Sequence, residues 1–306
     1  MAYPKEVIEQ IKTKILEETA AMRRYNETIE VSGTRGTIKS EDREIPYVWY
    51  GAPAEEAPLI LGFHGGGYLF GGAAMNDPVW KRTAEKLGCH VASIDYRMSP
   101  DYQYREAVDD AYDAAKYFLS HADEFHIKGN KLTTMGMSAG GNLAAAVCIY
   151  AAQKGEDIFE RQIPLYPMLD AYTDPDSKGN GSLGGPVMYI FNELHSPESE
   201  LKNPLVSPVF AEDELLAKLP HAIVSVAEND NLRKEGELYV ERLNKNGVRA
   251  DCILADGMPH GYFESGFGEP SEFDVNFLGE QILALIKDGT MNRKSEETLD
   301  FILENW

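Results

Sequence analysis

Basic residues are scarce beside acidic ones, 29 lysines and arginines against 50 aspartates and glutamates, which leaves a net charge of −21. A surface of that sign repels phosphate backbones and anionic lipid heads, so no nucleic acid and no membrane partner is expected. The charge otherwise serves solubility. Cysteine is also sparse. Cys89, Cys148 and Cys252 are far apart and form no C-x-x-C, which excludes a zinc knuckle and a disulfide framework. Each sits in an apolar stretch and reads as a buried, inert thiol, and the low count suits a reducing compartment. Apolar runs stop at strand length, so no transmembrane helix is expected. The first residues, MAYPKEVIEQIKTK, lack the apolar core of a secretory signal. Together these absences predict a cytoplasmic protein. Internal repeats and low-complexity tracts are missing too.

The chain does have size. Its 306 residues, 43% of them hydrophobic, are enough for one large domain with or without a small appendage. Residues 4–26 read as a helix from the spacing of Val7, Ile8, Ile11, Ile15 and Leu16. A pair of β-rich stretches, an edge hairpin, fills 28–49. Strands and helices then alternate. Strands are predicted at 58–63, 90–94, 132–135, 162–166, 222–226 and 252–254, and helices at 78–87, 107–119, 142–152 and 234–245. This alternation predicts an α/β fold with a mainly parallel sheet. Residues 168–205, rich in Gly, Pro and Asp, break the rhythm with one short helix near 187–194, and read as a lid. The tail 295–306 reads as a short helix with Leu299, Ile302, Leu303 and Trp306 in one stripe. That stripe must dock on its own domain or on a second subunit, so a homodimer is one expectation.

The chemistry starts at Gly136-Met137-Ser138-Ala139-Gly140, a Gly-x-Ser-x-Gly run between a predicted strand and a predicted helix. A serine on so sharp a turn projects its hydroxyl above the sheet. Gly136 and Gly140 relieve the crowding this causes, and the helix N-terminus aims free N–H groups at a developing oxyanion. His64-Gly65-Gly66-Gly67 follows another strand. Its glycines let backbone N–H groups point into a cleft, so Gly65 and Gly66, with Ala139, are the expected oxyanion donors. His64 and Gly67 support that loop.

A serine nucleophile needs a base. His260, just past the last predicted strand, lies on the same rim of the sheet as Ser138. His90, His121, His126, His195 and His221 read as solvated or structural. The base needs an anion to hold its tautomer. Asp230 follows the strand at 222–226, with Glu228 and Asp256 as competitors. The chain order Ser, Asp, His favours Asp230.

Several ordered blocks resemble the hormone-sensitive-lipase-like esterases of the α/β-hydrolase fold. They are His64-Gly65-Gly66-Gly67, Asp95-Tyr96-Arg97 with Ser99-Pro100, Ala107-Val108-Asp109-Asp110, Ser138 to Ala144, Asn203-Pro204-Leu205 with Ser207-Pro208, Asp230 to Arg233 with Glu235-Gly236, and His260-Gly261-Tyr262. They span about 58–262.

The resemblance implies a mainly parallel eight-stranded sheet flanked by helices, with a small helical cap. The cap is an N-terminal segment (1–40) and the insertion 168–205. The hydrolase core is 41–167 and 206–290, and 291–306 is a tail helix. It further implies metal-independent hydrolysis of small-molecule carboxylic esters with short acyl groups, using no cofactor. Ser138, Asp230 and His260 fall on the family's triad, and Gly65, Gly66 and Ala139 on its oxyanion hole. Asp95-Tyr96-Arg97 and Asp109-Asp110 look like structural polar pairs. Met137 departs from the Asp or Thr common before the nucleophile, and Met98 and Asp101 depart from the usual block with no expected chemical consequence. An amidase, formamidase or peptidase could use the same triad. A non-catalytic small-molecule receptor is the other class, which the presence of His260 disfavours. Tyr68, Phe70 and Tyr166 are the expected walls of the substrate pocket.

Overall fold

The computed structural model describes residues 4–40, 42–179, 181, 183–264 and 293–306. Helix α1 (Lys5–Thr28) comes first, then strands β1 (Thr34–Lys39), β2 (Glu44–Tyr50) and β3 (Leu59–Phe63). Next are α2 (Asp77–Leu87), β4 (His90–Ile94), α3 (Tyr104–Ser120), β5 (Leu132–Met137), α4 (Ala139–Gln153) and β6 (Phe159–Leu165). The insertion carries α5 (Gly185–His195). After it come the single turn α6 (Asp213–Leu216), β7 (His221–Asn229), α7 (Arg233–Lys245), β8 (Ala250–Pro259) and α8 (Arg293–Glu304). Of the expected core stretch 206–290, the part beyond 264 lies outside the described residues.

The strands form one eight-stranded sheet in the order β1-β2-β4-β3-β5-β6-β7-β8. The hairpin β1–β2 is antiparallel and joins β4 antiparallel, while every pair from β4 to β8 is parallel. This is the α/β-hydrolase fold, as expected. β3 and β4 are buried along their whole length, as strands covered on both faces must be. Leu59, Leu61 and Phe63 belong to the apolar cluster of α3, α4 and α7, whereas Ile60 belongs to that of α2 and α8. Alternate residues of one strand thus supply opposite layers. β7 and β8 run well past their predicted apolar stretches: β7 ends in Glu228 and Asn229 and β8 in Asp256 to Pro259, residues of the rim that form no apolar run.

Helix α1 packs its Ile8, Ile15 and Met22 against Val187, Ile190 and Phe191 of α5, with Leu69, Phe70 and Met75 of the loop after β3 beneath them. This is the helical cap. Arg23 of α1 reaches Asp101 at 2.5 Å, so the departure at Asp101 does have a structural use.

One expectation needs correction. Cys252 is exposed, unlike the buried Cys89 and Cys148. It lies on the edge strand β8, where Leu254, two residues on, is exposed as well. The tail stripe docks on its own domain: Leu299 and Ile302 are fully buried, and Glu296 pairs with Arg82 of α2 at 3.0 Å. Own-domain docking is thus one of the two expected outcomes, while Leu303 of the same stripe stays exposed. Among the described residues no helix is long and apolar enough to cross a membrane.

Candidate active site

Ser138 sits where β5 turns into α4, at φ 56° and ψ −115°, a conformation that non-glycine residues rarely adopt. The turn holds because its flanks have no side chains. A Cβ on Gly136 would stand 2.1 Å from the Gly140 carbonyl oxygen, and one on Gly140 would stand 2.2 Å from that of Phe63. The glycine loop starts one residue after Phe63, and Phe63 lies opposite Gly136 in the β3–β5 ladder. Register alone therefore brings His64 to Gly67 beside the serine. Gly66 takes φ +108°, open only to glycine, and Gly67 lies under the Phe191 ring of α5. The N–H groups of Gly65, Gly66 and Ala139 have no acceptor among the described residues, and Ala139 is the first residue of α4. They are donors free to meet an oxyanion.

The β7–β8 ladder supplies the rest. Asn229 pairs with Pro259, so the next residue on each strand, Asp230 and His260, emerge side by side. His260 Nδ1 lies 2.7 Å from Asp230 Oδ2, and its Nε2 lies 2.8 Å from Ser138 Oγ. Glu228 and Asp256 are exposed; Glu228 instead accepts the Gly257 N–H at 2.6 Å. Burial alone would lower the His260 pKa. The charge and hydrogen bond of Asp230 override it, Glu264 and Glu235 add to the pull, and the imidazole is held above its ordinary value. Such a relay can take the hydroxyl proton as the oxygen attacks and return it to a leaving group.

The family model for the α/β-hydrolase fold matches residues 60–264. The chain belongs to the α/β-hydrolase family. It is 35% identical to an arylesterase of Saccharolobus solfataricus over 74% of its own length and 76% of that protein's. It is 28% identical to an ethyl acetate hydrolase of Pseudomonas putida over 70% and 69% of the two chains. Among solved structures, an esterase of Pyrobaculum calidifontis superposes with a TM-score of 0.76 at 28% identity, covering 97% of this chain and 92% of that one. This hydrolase is an esterase-type enzyme.

The remaining expected residues divide. His64 is fully buried, with Nδ1 2.8 Å from the Gly65 carbonyl and its ring stacked on Tyr96, and burial lowers its pKa to about 4. It supports the glycine loop and stays neutral. Arg97 grips Asp110 through two nitrogens at 2.9 Å, and Arg43 reaches the same carboxylate at 2.6 Å, a purely structural knot. Met137 is fully buried in the α2 and α8 layer, so the polar residue usual there is replaced by packing.

Tyr68 and Phe70 do not form an open wall. Tyr68 is 2% exposed, stacked on His195 with ring centres 3.6 Å apart, and donates to Asn142 Oδ1 at 2.7 Å. Phe70 is consumed in the cap cluster. Both are spent joining cap to core. Tyr166 does reach the site, its ring edge-on to His260 at 5.0 Å.

Three side chains were given no role by the sequence. Asn142 binds the carbonyls of Met168 and Val206, at 2.6 and 2.8 Å, and ties the elbow helix to both ends of the insertion. The Tyr262 hydroxyl joins Ser225 and Thr298, so α8 braces the His260 loop. Glu264 is a buried acid four residues after His260, beside the glycine loop.

Proposed function

We propose that this hydrolase cleaves small carboxylic esters with acyl groups from acetyl to hexanoyl, in the manner of the hormone-sensitive-lipase-like esterases. The observation that carries the reading is the unbroken relay from Ser138 Oγ to His260 to Asp230, at 2.8 and 2.7 Å. Ser138 attacks the ester carbonyl while His260 takes its proton, and Asp230 steadies the imidazolium. The carbonyl oxygen, now negative, receives the N–H groups of Gly65, Gly66 and Ala139. The bond to the alcohol breaks, and His260 returns the proton to the departing oxygen. Water then attacks the acyl-enzyme through the same base and the acid leaves. No step calls for a cofactor.

The short-acyl preference is supported by the ethyl acetate hydrolase among the relatives and by the cap, which brings Phe191 down on Gly67 of the glycine loop. A p-nitrophenyl series from acetate to decanoate tests it, with Ser138→Ala as control. Turnover should peak at or below hexanoate and vanish in the variant. A decanoate optimum would sink the chain-length claim. Near-normal turnover by Ser138→Ala would sink the mechanism.

A further inference from the structure

His260 faces more acid than its partner Asp230. Three carboxylates raise its affinity for a proton, in the order Asp230, Glu264 and Glu235. Glu235 lies on α7 and has its own cation, Lys178, at 2.9 Å. Glu264 forms no ion pair with a lysine or arginine among the described residues. Its side chain is buried, and a Cβ built on Gly65 would stand 3.1 Å from its Oε1 and 3.6 Å from Ser138 Cβ. The carboxyl thus lies against the glycine loop, beside the nucleophile. Tyr166, edge-on to His260, and Asn76, at the start of α2, flank the carboxyl and, with His260, favour its ionised form against burial.

We propose that Glu264 is a positioning residue of the hydrolytic site, whose carboxyl, set against Gly65 and beside Ser138, balances the charge that His260 gains and loses during the reaction. The inference rests on the mechanism proposed above. A fixed negative charge there would help the imidazolium but oppose the oxyanion held a few ångströms away. Burial resolves the conflict. It pushes the Glu264 pKa up to about 7, with the pull of His260 working the other way. Beside a neutral imidazole the carboxyl keeps its proton and adds no charge. Beside the imidazolium it favours ionisation. The two groups titrate as a pair. The other groups that face the pair are Asp230 and Glu235 on the β7–α7 side, Tyr166 after β6, and Tyr96 after β4.

The test is the pH profile of kcat and KM on p-nitrophenyl acetate for the wild type, Glu264→Gln and Glu264→Asp, each normalised to sites titrated with a fluorophosphonate. Removing the carboxyl removes support for the imidazolium. The acid limb of kcat/KM in Glu264→Gln should therefore move down by about one unit. That shift corresponds to about tenfold in imidazolium stability, and the kcat plateau should fall by a similar factor with KM unchanged. Glu264→Asp, which keeps a carboxyl on a shorter stem, should lie between. A Glu264→Gln limb that superimposes on that of the wild type overturns the proposal. So does failure of both variants to yield titratable sites, which would make Glu264 a structural residue. An inert wild type, or an active Ser138→Ala, would instead remove the underlying mechanism, so the two failures are told apart.

Discussion

Lys178 of the insertion and Glu235 of α7 form an ion pair of 2.9 Å in which each side chain is only 6% exposed. Lys178 also donates to the Asp170 carbonyl, and Glu235 accepts the N–H groups of Leu169 and Asp170. The pair therefore fastens the base of the insertion to the helix that begins just after Asp230. Lys178→Met leaves a buried carboxylate without its cation, which should cost about 3 to 5 kcal/mol of stability in urea unfolding. The double change Lys178→Met with Glu235→Gln removes the charge but keeps an acceptor for the two N–H groups. It should recover most of that loss. A double variant as weak as the single one would show that the pair is not the fastening.

Asp230 should be the only one of three nearby acids that matters to turnover. Asp230→Asn leaves His260 without the anion that orients it and should lower kcat by about 10⁴. Glu228→Gln and Asp256→Asn, both at exposed positions, should leave kcat nearly unchanged. A large loss in either would contradict the relay drawn from the 2.7 Å contact.

Acid should silence the enzyme earlier than an ordinary histidine would predict. His260 must be neutral to take the serine proton, and its pKa is raised above the ordinary 6.5 by Asp230 against the effect of burial. The acid limb of kcat/KM should therefore have its midpoint above 6.5, with activity lost as pH falls through it. A midpoint below 6.5 in the wild type would show that burial, and not Asp230, dominates.

Glu264 should also leave a mark on stability. Its pKa rises from 4.5 when unfolded to about 7 when folded, because burial disfavours the charge. The native state thus holds a proton that the unfolded chain has given up. The stabilisation is complete below 4.5 and is lost as pH rises to about 7, a change on the order of 3 kcal/mol. Glu264→Gln has no such proton to lose. Its stability relative to the wild type, from urea curves between pH 5 and 8, should rise with pH. Parallel curves would contradict the burial effect.

Much of the candidate site is legible in the sequence. The Gly136 to Gly140 turn is a local constraint. Its serine, its two small flanks and the strand and helix around it are consecutive residues, so the geometry is written in one short run. The same holds for the glycine loop and for the buried strands β3 and β4, whose unbroken apolar runs announce two covered faces. The sequence order even favoured Asp230, but position along the chain left Glu228 and Asp256 open. The Asn229–Pro259 register sets Asp230 and His260 side by side and leaves the other two acids exposed.

What only the tertiary structure decided is which side chains face each other across long stretches of chain. Tyr68 and Phe70 read as pocket walls because they follow the glycine loop, yet the cap covers them and turns them into packing. The tail stripe could have met a second subunit; Leu299 and Ile302 meet α2 and the His260 loop instead. Glu264 carried no pattern at all. Its surroundings are assembled from Gly65, Asn76, Tyr166 and His260, residues brought together only when the sheet aligns its strand ends. Local backbone constraints are recorded in adjacent residues, whereas burial and charge are properties of a neighbourhood, and the neighbourhood exists only in the folded chain.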